Sequence, residues 1–372
     1  MSKQPNNSTA REREPLVVLS KRDTVPLGRA ILVRAAAIAI AVIICGLLTL
    51  LVTKNNPVKV FAAFFYGTFG TSQLAWVTIH NVALLLCVSL AVTPAFRMRF
   101  WNIGAEGQAL AGCFTCAALM FYLGGKIPDA LLVPVLVISS IAAGAVWGLI
   151  PAVFKAVWNT NETLFTLMMN YIAIQMVEFF LKVADKSGSN TVGPDLLSHG
   201  WFPELFGNKY LLNIIIVFVL TALIYVYLYY TKHGYEISVV GESENTARYI
   251  GINVKNVIIR TMILSGAICG LCGLLLVAGS SHSIDSNLVK GRGFTAIMVS
   301  WISKFNPIIM VPVSLLIVFL ERGAGQVTVS FGLNSSFSEI LTGIILFFII
   351  GCEFFLNYRL RFRSREGKKE GK

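Results

Sequence analysis

Long apolar runs alternate with short polar or basic segments along the whole chain. Runs near the roughly 20 residues that cross a bilayer as a helix fall at about 30–52 and 73–92, and a third ends near Leu123. Others follow at about 131–154, from Asn161 onward, and at about 210–230, 261–278, 291–304 (a short one), 308–320 and 338–356. Gly124, Gly125 and Pro128 mark one turn between runs, Lys155 a second, and Asn306 with Pro307 a third. Residues 55–72 are moderately apolar and broken by Pro57, Gly67 and Gly70, which reads as an interfacial or re-entrant piece. Glu321 and Arg322 are expected to end the ninth run, leaving a polar stretch from Gly323 to Phe337. The pattern predicts an all-α polytopic membrane protein of about ten transmembrane helices.

Composition agrees. The 372 residues are 55% hydrophobic and 13% charged, with a mean hydropathy of +0.71, whereas soluble domains carry about 25% charged residues. The net charge of +12 comes largely from short segments between and beyond the apolar runs. That is the positive-inside pattern and not a nucleic-acid surface. It places both termini in the cytoplasm of a bacterial cell that carries the chain in its plasma membrane. Three regions result: a basic N-terminal segment at 1–28, a membrane domain at 29–358 that contains a polar cytoplasmic segment at 231–260, and a basic tail at 359–372. The N-terminal segment is too long and too polar for a signal-peptide n-region. Residues 182–209 read as the largest outer loop.

The seven cysteines include two C-x-x-C pairs, Cys113 with Cys116 and Cys269 with Cys272. Both lie in apolar runs without histidine nearby, so packing is the better reading than zinc. No G-x-x-x-x-G-K-[ST] phosphate loop, H-E-x-x-H or Gly-x-Ser-x-Gly set occurs, which argues against an enzyme and against ATP binding by this chain.

The polar residues inside apolar sequence carry the functional reading. Phe100–Gly112, FWNIGAEGQALAG, puts Asn102, Glu106 and Gln108 among glycines. Such groups at membrane depth usually face a bundle interior or a water-filled path, so this stretch reads as part of a substrate pathway; a cytoplasmic loop capping the next helix is the alternative. NETLFTLMMNYIA adds Asn161, Glu162, Thr166 and Asn170, the last two on one helical face; pathway lining and interhelical hydrogen bonding both fit. In the segment 231–260, Glu244–Tyr249 reads as a short helix ended by Gly251, suited to seat in a groove on a partner. Gly266, Gly270 and Gly273 are spaced for close helix contact. Gly104–Gln108 and Gly291–Phe294 open runs in the two halves with opposite predicted directions, a weak inverted internal repeat of the kind found in transporters.

Three stretches together, FWNIGAEGQ, NETLFTLMMNYIA and GESENTARYIGINVKNVIIR, with GRGFTAIMVSW after them, resemble in order the permease subunits of ABC importers for nucleosides and simple sugars. Trp301 and Lys304 stand where that family more often has small apolar residues. The resemblance implies a heterodimer with a second permease, a separate ATPase that binds the ATP, and a substrate-binding lipoprotein or periplasmic protein. It places Asn102, Glu106 and Gln108 near the translocation path and makes Glu242, Asn245, Arg248 and Gly251 the contact with the ATPase. It implies nucleoside transport, with simple sugars or a riboflavin-like vitamin as alternatives. An ion-coupled secondary transporter using acids such as Glu106 and Glu162 is the second alternative.

Overall fold

The computed structural model describes residues 17–21, 26–53, 57–185 and 190–362. Most of the basic N-terminal segment and of the basic tail therefore lies outside the described residues. The protein is an all-α polytopic membrane protein. Thirteen α-helices occur among the described residues: α1 Leu27–Thr53, α2 Pro57–Phe69, α3 Ser72–Arg97, α4 Ala105–Leu123, α5 Asp129–Trp158, α6 Glu162–Ala184, α7 Leu211–Tyr230, α8 Lys232–Glu242, α9 Glu244–Tyr249, α10 Val254–Leu276, α11 Arg292–Ile302, α12 Pro307–Ser330 and α13 Ser335–Asn357. Eight of them are long and apolar enough to cross a membrane: α1, α3, α5, α6, α7, α10, α12 and α13.

About ten spans are expected and eight qualify, the expected third span, α4, and the eighth, α11, not being among them; the helices otherwise follow the apolar runs, with four differences in extent. The expected eighth span, α11, has 11 residues, about 16 Å of helix at 1.5 Å per residue, or half of a roughly 30 Å hydrocarbon core. α12 continues through Glu321 and Arg322 to Ser330, and the Phe64 ring packs directly against it at Gly323. α10 starts at Val254 and not near Thr261, with the Asn253 side chain accepting from the Asn256 N–H at 3.2 Å as its cap. The segment before it contains a second helix, α8, as well as the expected α9. The piece at 55–72 forms α2, whose Phe64, Phe65 and Phe69 rings surround Phe319 of α12.

The chain divides into two compact units. In the smaller, 1–61 with 333–372, α1 packs along α13, and the Cys45 thiol donates to the Leu341 carbonyl at 3.7 Å. Val17–Lys21 pairs antiparallel with Tyr358–Phe362, from Val17 opposite Phe362 to Lys21 opposite Tyr358.

In the larger unit, 62–332, α10 is the central helix, buried against α3, α4 and α5. Small residues set its spacing. Ser140, Gly144 and Gly148 on α5 face Met262, Gly266 and Gly270 on α10, and Gly112 of α4 meets Gly270 from another side. A Cβ on Gly148 would stand 2.6 Å from the Met262 carbonyl oxygen, and one on Gly112 2.7 Å from the Gly270 Cα. The helices therefore touch backbone to backbone, which replaces the hydrophobic driving force that lipid cannot supply. Cys87, Cys113 and Cys272 fill the remaining gaps, their thiols reaching the carbonyls of Ile268, Gly273 and Leu84 at 3.8, 3.5 and 3.8 Å.

Candidate functional site

Two helices begin side by side within the larger unit and run apart. Asn102 Nδ2 donates to Ser265 Oγ of α10 at 3.1 Å at the start of α4, and the Cys113 thiol reaches Gly273 further on, so α4 runs along α10 in the same direction. α11 runs along α3 in the same direction, with Arg292 bonded to Asn81 and Ser300 Oγ to the Ser89 carbonyl at 3.0 Å. α3 and α10 are antiparallel, as Cys87 to Ile268 and Cys272 to Leu84 show, so α4 and α11 diverge. Asn81 is the tenth of the 26 residues of α3, which sets the shared starting point well inside the bundle.

A helix that starts there has N–H groups that lipid cannot satisfy, and each unpaired group costs several kcal/mol. Side chains from other helices answer them. For α4, the Gly107 N–H donates to Asn170 Oδ1 of α6 at 2.8 Å, while Asn170 Nδ2 donates to the Ile103 carbonyl at 3.0 Å. Thr166, one turn before Asn170, accepts from the Ile103 N–H at 3.2 Å. Asn102 Oδ1 accepts from the Gly104 N–H at 3.0 Å and from Gln108 Nε2 at 3.2 Å. Gly107 is required here, since a Cβ would lie 2.8 Å from Asn170 Oδ1.

For α11 the cap is Glu106, from the first turn of α4. The Gly291 N–H donates to Oε1 at 2.8 Å and the Gly293 N–H to Oε2 at 2.7 Å. A carboxylate at a helix N-terminus also opposes the positive end of the helix dipole. Arg292, between the two glycines, turns away and donates through Nη2 to Asn81 Oδ1 at 2.8 Å. Gly293 presses on Glu106 so closely that a Cβ would stand 2.6 Å from its backbone nitrogen.

A second constellation lies where the Arg97 end of α3 meets α8, α9 and α10. α8 buries Gly234, Ile237, Val240 and Gly241, and Gly241 lies directly under the Arg97 carbonyl. Glu236 Oε2 accepts from Arg260 Nη2 at 2.7 Å. That bond holds the Glu236 carboxyl below its usual range, although partial burial opposes the shift. Ser243 Oγ caps α9 by accepting from the Thr246 N–H at 3.2 Å. At its other end the Gly251 N–H reaches the Arg248 carbonyl at 3.1 Å, the Ile252 N–H reaches Ala247 at 2.9 Å, and Gly251 adopts φ +84°. This is the Schellman arrangement, which favours glycine at that position. Beyond Ala247, which is buried, the short helix faces outward: Asn245 and Arg248 are exposed, as is Glu242 at the end of α8, and Tyr249 is 93% exposed.

Residues 74–350 match the family described as branched-chain amino acid transport system / permease component. The chain belongs to that family. It is a permease, not an enzyme. The glucose ABC transporter permease protein of Haloferax volcanii is 29% identical, over 92% of this chain and 93% of that one. The guanosine ABC transporter permease protein NupP of Bacillus subtilis is also 29% identical, over 88% and 93%. The nucleoside ABC transporter permease protein NupB of Lactococcus lactis subsp. cremoris is 28% identical, over 86% and 91%.

Of the residues singled out for the pathway, the permease brings Asn102, Glu106, Gln108 and Asn170 together at the paired helix starts. Asn161 and Glu162 are elsewhere: Asn161 is the exposed cap of α6, accepting from the Thr163 and Leu164 N–H groups at 3.1 and 3.2 Å, and Glu162 pairs with Lys155 at 2.9 Å. Of the residues singled out for ATPase contact, Arg248 is bound to Glu244 at 3.1 Å. The sequence reading passed over Asn81, Ser265, Arg292, Glu236 and Arg260, and also Tyr249 and Ile250. The signal for the last two was available: two large apolar residues directly before a capping glycine in an otherwise polar segment.

Proposed function

We propose that this permease is the translocation subunit of an ABC importer for nucleosides, paired with a second permease and driven by a separate ATPase. An extracytoplasmic substrate-binding protein delivers the solute. The observation that carries the reading is similarity along nearly the whole chain to permeases named for guanosine and nucleosides. In this reading the exposed surface of α9, Asn245, Arg248, Tyr249 and Ile250 with Gly251 behind them, seats in the ATPase together with Glu242 at the end of α8. Arg248 exchanges Glu244 for a carboxylate of the partner. Both chain ends lie in the cytoplasm, which agrees with the pairing of Val17–Lys21 with Tyr358–Phe362. Asn102, Glu106, Gln108 and Asn170 hold the two helix starts that border the path, while Asn161 and Glu162 stand at its cytoplasmic mouth. Alternating access then follows from differential contact of the ATPase with the two states of the permease pair.

A simple-sugar importer is the second reading, favoured by the equal identity to the glucose permease. The deciding experiment expresses this chain with its neighbouring permease, ATPase and binding protein in cells that lack nucleoside uptake, and measures uptake of labelled guanosine, uridine and glucose. Saturable guanosine or uridine uptake that disappears without the ATPase is expected. Glucose uptake alone would replace the first reading with the second.

A further inference from the structure

The exposed α9 is separated from the buried helix starts, and α8 bridges the gap. It packs on α3, α7 and α10, and it is fastened in two ways. Gly241 lies directly against the backbone at Arg97 and Met98, and Glu236 binds Arg260 at 2.7 Å. Arg97 itself is held over the ring of Tyr229, at the end of α7, at 4.8 Å.

Both fastenings lead to one residue. Along α10, Arg260 is five positions before Ser265, about 7.5 Å of rigid helix, and Ser265 accepts from Asn102 at 3.1 Å. Arg97, the last residue of α3, is five positions before Asn102, through a tight turn in which the Phe100 N–H bonds back to the Ala95 carbonyl at 2.9 Å. Asn102 in turn holds the first turn of α4 through Gly104 and Gln108. A rotation of α8 that moves α3 and α10 unequally therefore shears the contacts of Asn102.

We propose that α8 is the joint that passes movement of α9 to the starts of α4 and α11, with Glu236 and Arg260 as the positioning residues that engage α10. The proposal rests on the ABC importer reading. It adds a second requirement to docking: α9 must seat on the ATPase, and α8 must also be gripped from within. Contiguity alone does not establish coupling, so the test measures coupling between the two groups directly.

The test uses the whole complex in sealed vesicles, with ATP hydrolysis and labelled guanosine uptake measured in the same sample. Glu236→Gln and Arg260→Gln are expected to leave the subunits co-purifying and hydrolysing ATP while uptake per ATP falls about tenfold, within the usual range of coupling between sites. The charge exchange of Glu236→Arg with Arg260→Glu is expected to recover part of the loss, because Lys232 stands 3.9 Å from the Glu236 carboxylate and opposes a cation there. Tyr235→Ala, on the exposed side of α8, is expected to leave the ratio unchanged. An unchanged ratio in both single variants overturns the proposal. So does an exchange variant no better than the singles, or a parallel loss of assembly in all three, which makes the pair a support for assembly only. A wild-type complex that carries glucose and not guanosine overturns the nucleoside reading, and the joint is then tested with glucose as the probe.

Discussion

Replacing Glu106 by alanine removes the acceptor of the part-buried Gly291 N–H and of the buried Gly293 N–H. Hydrogen bonds to a charged group contribute about 1.5–3 kcal/mol each, net of water. Losing two therefore costs about 3–6 kcal/mol, provided that water does not take the place of the carboxylate. Glu106 is only 8% exposed, so that substitution is poor. Glu106→Gln keeps one acceptor oxygen but turns an amide NH₂ toward the other N–H, and loses about half as much. All seven cysteines are buried, so a thiol-reactive dye reports heat unfolding in detergent without labelling the chain in advance. At about 2 °C per kcal/mol for a chain of this length, the midpoint falls by about 6–12 °C for Glu106→Ala and by about half that for Glu106→Gln. An alanine variant within about 2 °C of wild type would refute the view that this carboxylate holds α11.

Gly266→Ala drives a methyl group into the Gly144 carbonyl; backbone cannot rotate away, so α5 and α10 must separate. A loss of about 1–3 kcal/mol is expected in the same dye assay. Gly144→Ala loads the same contact, so the double variant should lose less than the sum of the singles. Tyr249→Ala combined with Ile250→Ala leaves the melting midpoint unchanged but lowers co-purification with the ATPase at least about tenfold, as expected of apolar anchors at an interface. His282 stacks on Trp201 at 4.0 Å. Burial, and after it the charge of Lys209, holds its pKa below the usual 6.5, with Glu204 opposing. A depressed folded value means that the contribution to stability is complete above 6.5 and is lost as pH falls through the lower folded value. Proteolysis of the 190–210 loop should therefore accelerate on acidification below 6.5, and His282→Phe should remove that dependence.

The sequence shows most of the spanning helices because length and apolarity suffice to define them: α1, α3, α5, α6, α7 and α13 lie within a few residues of the runs that predict them. Two of the misjudged elements, α8 and α10, share a polar pair whose members are distant in sequence. Arg260 looks like the edge of a span, yet it lies in the second turn of α10, because its guanidinium is matched by Glu236, 24 residues earlier on α8. Arg322 looks like the end of α12, but the helix continues to Ser330, with Phe64 packed against Gly323. α8 has a polar composition and hides a buried face of only Gly234, Ile237, Val240 and Gly241, too short a pattern to stand out against loop.

The same reasoning explains why two polar clusters that look alike in sequence have different fates. Asn161 and Glu162 are satisfied locally, by N–H groups two and three residues on and by Lys155 across a turn, so that end of α6 needs nothing from the interior. Asn170 and Glu106 are satisfied at separations of 63 and 187 residues, each capping a helix to which it does not belong. Polar identity reveals that an apolar run contains something to be matched; only the separation of the partners shows whether the match ties helices together. α4 and α11 are tied in this way at a common start. The carboxylate that α4 supplies is therefore as much a part of α11 as the glycines that receive it, and neither helix can shift along its axis without breaking the other's first turn.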